Sequence, residues 1–335
     1  MMTDSIKVTL LGLGEIGKRL GTFIHKKNGL EIVAAVDVAP NLLDKDLGDV
    51  LNLGEKTHVK VSNNLEKTLN ETKTDIVVNA TSSFVKQVYD SIMTAVNAGC
   101  SVVSTCEELT YPFLTENDLS KKLDEAAKNN GVTILGSGIN PGFLMDALPV
   151  MLTAVCQEVN KIKIVRQMNA STRRLPFQKK IGAGLTVDEF TEKINSGSIT
   201  GHVGLEQSIA FIAYSLNWKF DKIEIGEVKP MIAEKEVNSD FIKVNKGDVT
   251  GLEQSAYGII NNEKIVTLEF FAYLGADEEF DAINIDGTPP INQKISPCVH
   301  GDLSTVAVIV NSIPNVINGK PGLTTMKDLA LPSAL

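Results

Sequence analysis

Residues Ile6–Leu11 (IKVTLL) form a short β-branched, apolar run, and Gly12, Gly14 and Gly17 follow it at once in the spacing G-x-G-x-x-G. Asp37 ends a second apolar run, twenty residues after Gly17. No other feature restricts the fold of this chain as tightly. Gly12 allows a tight turn out of the strand, Gly14 lets a pyrophosphate approach the backbone, and Gly17 lets the next helix lie close to the sheet. The helix start offers unpaired N–H groups and the positive end of a dipole. Asp37 can accept hydrogen bonds from the ribose hydroxyls of an adenosine. A strand before the glycines, a helix after them and an acid at this distance are the context in which the motif binds a dinucleotide. Gly12, Leu13, Gly14, Glu15, Ile16, Gly17 and Asp37 are therefore candidate cofactor-binding residues. Gly12 to Lys18 also spells most of a triphosphate-binding loop, but that motif needs Ser or Thr next to ligate Mg²⁺, and Arg19 stands there.

The chain beyond the loop alternates strands and helices. Ile16, Leu20, Phe23 and Ile24 mark a helix face, Val59–Val61 a third short strand, and 75–80 (DIVVNA) a strand apolar enough to be covered on both sides. Its end carries Thr81, Ser82 and Ser83, and ligands of open α/β sheets bind at that edge, so Thr81 and Ser82 join the cofactor candidates. Val85, Val88, Ile92 and Val96 give a helical period, 101–105 a fifth strand, Leu119, Leu123 and Ala126 a further helix, and 132–135 a sixth strand. This alternation predicts an N-terminal Rossmann domain, a doubly wound parallel sheet over residues 1–140.

The second half changes character. Candidate strands at 161–168, 222–228, 241–244, 264–274 and 282–285 are mostly not separated by long helices, so the fold class is α/β with a C-terminal α+β domain, 141–301, built on a mixed or antiparallel sheet. Helices are expected at 185–194 and near 208–216. A last helix is expected to start near Asp302 as its cap, with Pro314 and Pro321-Gly322 breaking up the tail. Segment 302–335 is expected to return to the first domain.

Composition excludes several classes. The net charge of −9 argues against a general nucleic-acid surface, which needs a basic patch. Four cysteines show neither a C-x-x-C pair nor metal spacing. No apolar run approaches the roughly 18 residues of a membrane span. The start, MMTDSIKV, leaves no room for a signal peptide before the first strand, so a cytoplasmic protein is expected.

Glu107 and Glu108 follow the fifth strand, where a nicotinamide would lie. In strand geometry they point to opposite sides, so that one faces the cleft. Gly138-Ile139-Asn140-Pro141-Gly142 reads as a turn into a helix, with Asn140 as N-cap and Pro141 in the first turn. Alternatively the loop closes over the cofactor, with Asn140 and Phe143 at the edge of a substrate pocket. Arg166, Arg173 and Arg174 could grip a carboxylate with paired hydrogen bonds. His202 and Glu206 have i,i+4 spacing but no third ligand nearby, and no metal is expected.

These segments resemble the 2,4-diaminopentanoate dehydrogenase family and the closely related native NAD(P)H-dependent amine dehydrogenases. The resemblance rests on GLGEIG (12–17), STCEELTYP (104–112), GSGINPGFLMD (136–146), RRLPFQKKIGAGLT (173–186), GHVGLEQS (201–208) and HGDLSTVA (300–307). It implies oxidation of an amine with ammonia released, a small-molecule amine or ketone as substrate, and reductive amination in reverse. It implies that a glutamate of the CEEL segment is catalytic, Glu108 with Glu107 as the alternative, and that Asn140, Phe143, Asn169, Arg173 and His202 line the substrate pocket. Two alternatives stay open: an amine dehydrogenase for simple ketones or 4-oxo acids, and a non-catalytic NADH sensor. The first domain is also similar to dihydrodipicolinate reductases, whose catalytic histidine motif is absent here. Asp37 would repel a 2′-phosphate, which favours NAD over NADP, although the resemblance allows both. By analogy with similar reductases, the second domain's sheet is expected to form a homodimer.

Overall fold

β1 (Ile6–Leu11) enters the centre of a parallel sheet, and the chain then alternates helices and strands. The computed structural model describes residues 5–334. In order follow α1 (Glu15–His25), β2 (Leu30–Val36), α2 (Leu47–Leu51), β3 (Val61–Ser62), α3 (Leu65–Glu71), β4 (Ile76–Asn79), α4 (Val85–Asn97), β5 (Ser101–Ser104), α5 (Asn117–Asn130) and β6 (Thr133–Gly136). Then come α6 (Ala147–Leu152), β7 (Glu158–Asn169), α7 (Leu175–Lys180), α8 (Val187–Asn195) and α9 (Leu205–Leu216). Next are β8 (Lys222–Ile225), β9 (Lys229–Ile232), β10 (Val237–Asn238), β11 (Lys243–Val244), β12 (Val249–Ile260), β13 (Glu263–Tyr273), β14 (Phe280–Thr288) and β15 (Ile291–Ile295). The chain ends with α10 (Gly301–Ile317) and β16 (Gly322–Thr324). It divides into two compact units, one made of the chain through Ala147 and from His300 onward, the other of Leu148–Val299.

In the first unit the sheet order is β16-β6-β5-β4-β1-β2-β3, with every pairing parallel. This is the doubly wound sheet that the alternation predicts. Val85, Val88, Ile92 and Val96 of α4 and Leu123 and Ala127 of α5 pack with Val77, Val102 and Ile134 of the strands. α10 packs on α1, β5 and β6. Three details of the tail differ from expectation. His300, not Asp302, caps α10, its Nδ1 accepting the Leu303 N–H at 3.4 Å. Pro314 lies inside that helix, and Pro321-Gly322 leads into a seventh strand, β16.

The second unit holds a mixed sheet, β15-β14-β7-β13-β12-β8, with β9 also on β12. Only β7 and β13 run parallel within it. β12 has no counterpart in the sequence reading although it is twelve residues long. Its inward positions include Gln254, Ala256 and Gly258, so no apolar alternation announces it. Small residues are required there: a Cβ on Gly258 would sit 2.5 Å from the Phe220 ring. α9 packs on β8, β12 and β13.

Candidate active site

At the carboxyl end of β1 the three glycines do three different jobs. Gly12 turns with φ +90°, and a Cβ there would meet the Ala80 carbonyl oxygen at 2.8 Å. A Cβ on Gly17 would fall 1.8 Å from the Gly12 carbonyl oxygen, so only glycine lets α1 start this close to the turn. A Cβ on Gly14 would meet nothing within 4 Å. Space therefore opens in front of the first turn of α1, whose N–H groups lack intrahelical acceptors. Glu15 is exposed and Ile16 partly buried in that turn. The Asp37 carboxylate lies beside the loop: Oδ2 accepts the Leu13 N–H at 2.6 Å and Oδ1 the Ala39 N–H at 2.7 Å. A dinucleotide fits this arrangement, with its pyrophosphate in the open space and its ribose at the acid.

Two strands away from β2, the end of β4 is organised by a residue with no part in the sequence reading. Asn79 is 1% exposed. Its Oδ1 accepts from both the N–H (3.1 Å) and the hydroxyl (2.7 Å) of Thr81. Its own amide donates to the Ser91 hydroxyl at 3.2 Å. A polar residue ending an apolar central strand was the available signal. Thr81 is exposed beyond it, and the Ser82 hydroxyl bonds Gln87.

Glu107 and Glu108 do not continue β5 as an extended strand. β5 ends at Ser104, Glu107 is helical (φ −59°, ψ −43°), and Glu108–Thr110 is a single 3₁₀ turn. The strand alternation expected to separate the two carboxylates therefore does not apply. Glu108 is strapped to the start of α4: its N–H donates to the Ser83 carbonyl at 3.1 Å, and its Oε2 accepts the Val85 N–H at 2.7 Å. Phe84, the N-cap of α4, supplies no side-chain bond of its own, so Glu108 caps that helix from a distance. The Glu107 carboxylate is half-buried and makes no hydrogen bond or ion pair among the described residues. Cys106 beside them is buried, which pushes its thiol up to about 12 and removes it as a nucleophile at neutral pH.

Residues 140–146 form turns, not the helix that Asn140 was expected to cap. The buried Asp146 explains this. Its Oδ2 accepts the Gly142 N–H at 2.7 Å and its Oδ1 the Ala147 N–H at 2.6 Å, so the carboxylate closes the turn and α6 begins after it. Asn140 and Phe143 are both partly buried in this loop.

In the second unit Asn169 is spent on its own turn: its Oδ1 accepts the Ser171 N–H at 3.0 Å and its amide donates to the Ala276 carbonyl at 3.2 Å. Arg173 is 6% exposed, with its guanidinium 5.1 Å from the centre of the Phe177 ring. Arg166 is elsewhere committed. It and Asp281 are each 2% exposed and form an ion pair at 3.4 Å. Together they grip one residue, Val299, Arg166 at its carbonyl and Asp281 at its N–H. Burial holds the Asp281 carboxyl above its usual range even though Arg166 pulls it down.

His202 precedes α9, which starts at Leu205 after Gly204 at φ +100°, so the helical spacing to Glu206 does not hold. Its Nδ1 lies 2.7 Å from the Val203 carbonyl, which can only accept, so Nδ1 carries the proton and Nε2 the lone pair. The ring meets Phe270 edge-on with centroids 4.4 Å apart. Burial pulls its pKa down to about 4, and the imidazole is neutral at pH 7. Among the described residues, no helix is long and apolar enough to cross a membrane.

A parallel sheet whose edge leaves room for a pyrophosphate beside an acid, and sets two carboxylates after a later strand, belongs to the pyridine-nucleotide-dependent dehydrogenases. The relatives narrow this. The model of the 2,4-diaminopentanoate dehydrogenase C-terminal domain matches residues 143–335, and that of the dihydrodipicolinate reductase N-terminus matches residues 6–135. The chain is 33% identical to 2,4-diaminopentanoate dehydrogenase of Acetoanaerobium sticklandii, over 99% of this chain and 95% of that one. It is 21% identical to the amine dehydrogenase of Streptomyces virginiae, over 98% of each. The solved structure of amine dehydrogenase from Mycobacterium smegmatis superposes with a TM-score of 0.84 at 23% identity, covering 100% of this chain and 98% of that one. The chain belongs to the 2,4-diaminopentanoate dehydrogenase family and is an NAD(P)-dependent oxidoreductase of the amine dehydrogenase type.

Proposed function

We propose that the protein oxidises the C4 amine of 2,4-diaminopentanoate with NAD⁺, releasing ammonia and 2-amino-4-oxopentanoate, and that the reaction runs backwards as reductive amination. The observation carrying this reading is the Glu108 carboxylate, anchored through Oε2 by a helix N–H at the carboxyl edge of the nucleotide-binding sheet. Its Oε1 has no hydrogen bond among the described residues and is the oxygen offered for chemistry.

The bound nicotinamide supplies the hydride acceptor. The first turn of α1, with Gly12 to Gly17, holds the pyrophosphate, Asp37 the adenosine ribose, and Thr81, Ser82 and Asn140 the remainder of the cofactor. As the C4–H bond breaks with its electron pair, the C4–N bond becomes C=N⁺, and a carboxylate beside it stabilises that charge. Water then adds to C4 with the carboxylate taking its proton, and nitrogen departs as ammonia. The balance is one neutral amine, one NAD⁺ and one water giving one ketone, one NADH, one ammonia and one proton. Arg173 holds the substrate carboxylate, and Phe143 and His202 complete the substrate contacts, His202 as a neutral acceptor, while Asn169 braces the turn that leads to Arg173.

Asp37 sets the preference for NAD. Both of its oxygens are fixed by backbone N–H groups, so the carboxylate stays where a 2′-phosphate would meet it. Glu107 is the second candidate for the proton acceptor, because its carboxylate is uncommitted. The protein acts as a homodimer in this reading: helices cover one face of the second sheet, and the other face carries Val165, Phe271, Phe280 and Ala282, all only partly buried.

NADH formation at 340 nm tests the reading, with 2,4-diaminopentanoate set against alkyl amines that lack the amino-acid group. Turnover of the diamine with the higher kcat/KM is expected. Preference for the simple amines would move the substrate to plain ketones and 4-oxo acids, and turnover of no amine would overturn the enzyme reading in favour of a sensor. Light scattering checks the dimer, and a monomer refutes it.

A further inference from the structure

Gln178 on α7 is fully buried, at 0% exposure, and its side-chain amide ties the turn at 171–173 to Ser239. Its amide donates to two backbone carbonyls, Ser171 at 3.2 Å and Arg173 at 2.8 Å. Its carbonyl accepts the Ser239 hydroxyl at 2.7 Å. The Ser239 oxygen in turn accepts the N–H groups of Phe241 (3.2 Å) and Ile242 (2.9 Å). The bond to Ser239 also fixes which end of the Gln178 amide is oxygen, because the two carbonyls at its other end can only accept.

The turn so held is the one from which Arg173 projects. The Arg173 N–H is taken by the Ala170 carbonyl at 3.1 Å, and its own carbonyl by Gln178. The Arg173 backbone is therefore pinned at both ends. The guanidinium lies over Phe177, the residue just before Gln178 on the same short helix. We propose that Gln178 is the positioning residue for Arg173, fixing the turn so that the guanidinium meets the substrate carboxylate in one geometry and makes a carboxylate-bearing amine the preferred substrate. The proposal rests on the reading above that Arg173 binds that carboxylate. A buried amide saturated on both sides holds a turn more rigidly than packing alone, since any shift strands a polar group without water.

Gln178→Glu tests it. The replacement is isosteric, but it sets a carboxyl oxygen against two carbonyls where two N–H bonds were. KM for 2,4-diaminopentanoate is expected to rise about tenfold, the loss of one to two net hydrogen bonds' worth of order. The KM for NAD⁺ and the kcat stay within about twofold, because uniform binding alone is lost. In an Arg173→Ala background the same change adds nothing further to KM, which is the signature of action through Arg173. A purely structural role would lower the melting temperature and raise KM by the same factor in both backgrounds, and that result overturns the proposal. So does an unchanged KM in Gln178→Glu. If Arg173→Ala leaves the diamine KM unchanged, the carboxylate role of Arg173 falls, and the proposal with it. Should Gln178→Glu fail to fold, Ser239→Ala removes the hydroxyl that locks the amide, along with its bonds to the 241–242 segment, and a rise of about threefold in the same KM is expected. No rise there would overturn the proposal equally.

Discussion

Glu108 and Val85 meet across two strand ends: the carboxylate of one accepts the first free N–H of the helix that starts with the other, at 2.7 Å. A carboxylate in that position has two uses at once. It caps α4, and it presents its second oxygen at the edge of the sheet where the cofactor is read to lie.

The two uses separate by substitution. Glu108→Gln keeps an oxygen for the Val85 N–H and loses only the base. Its kcat is expected to fall about 10²–10⁴-fold, with the melting temperature nearly unchanged. Glu108→Ala loses the cap as well and is expected to be destabilised by about 1 kcal/mol, measured by chemical denaturation. Glu107→Gln removes no hydrogen bond and keeps most activity. The reverse pattern of rates would hand the proton-accepting role to Glu107.

Asp37 governs the cofactor. In Asp37→Asn one oxygen still accepts a backbone N–H, so the loop keeps its shape while the charge goes. Charge-assisted bonds to the ribose are lost, and the ratio of kcat/KM for NAD⁺ over NADP⁺ is expected to fall about 10–100-fold. Initial rates with both cofactors measure it. A wild-type enzyme that already uses NADP⁺ better would show that the acid does not exclude the 2′-phosphate.

Gly17→Ala forces its new methyl into the Gly12 carbonyl, 1.8 Å away, so the loop or the helix must move. Overpacking of this kind costs about 1–3 kcal/mol. NAD⁺ affinity should drop with stability, seen by titration calorimetry beside a melting curve. Gly14→Ala is the control: its methyl meets no protein atom, so stability holds and only the cofactor suffers. Unchanged NAD⁺ binding in Gly14→Ala would remove the pyrophosphate from that space.

The parts of this molecule legible beforehand are those in which chemistry and spacing coincide. The glycine loop, Asp37 and the apolar strands β1, β4, β5 and β6 follow from residues whose local roles allow few alternatives. β12 was not legible, because its inward face carries glycine, alanine and glutamine, and periodicity needs apolar side chains to show. The arrangement of Glu107 and Glu108 was not legible, because β5 ends at Ser104, before either glutamate, and a 3₁₀ turn takes over at Glu108. Asn140 and Asp302 were natural caps in sequence, yet Asp146 closes the first turn and His300 caps α10. Asn79, Gln178 and Gln254 were not legible for one reason: a lone amide is presumed exposed, and only the fold brings its backbone and hydroxyl partners to it. Arg166 was legible as a possible carboxylate grip, but its partner Asp281 lies more than a hundred residues away and appears only when β7 and β14 pair.

His202 gives the fold a pH dependence with a definite sign. Burial holds its folded pKa down at about 4, below the ordinary imidazole value of about 6.5, so between those values the unfolded chain binds a proton that the folded chain refuses. The stability it contributes is complete above pH 6.5 and is lost as pH falls toward 4, by at most about 1.4 kcal/mol per pH unit. His202→Gln lacks this proton linkage. Urea midpoints of the two proteins should therefore converge, or cross, as pH drops from 7 to 4.5. Gln254 makes the same point from the other side, since its Oε1 accepts the His202 N–H at 2.9 Å and holds the residue in place. If Gln254→Ala lets the ring reach water, the imidazole pKa measured by NMR rises toward 6.5 and the slope shrinks. A parallel pair of stability curves for wild type and His202→Gln would show that burial of this ring does not set its charge.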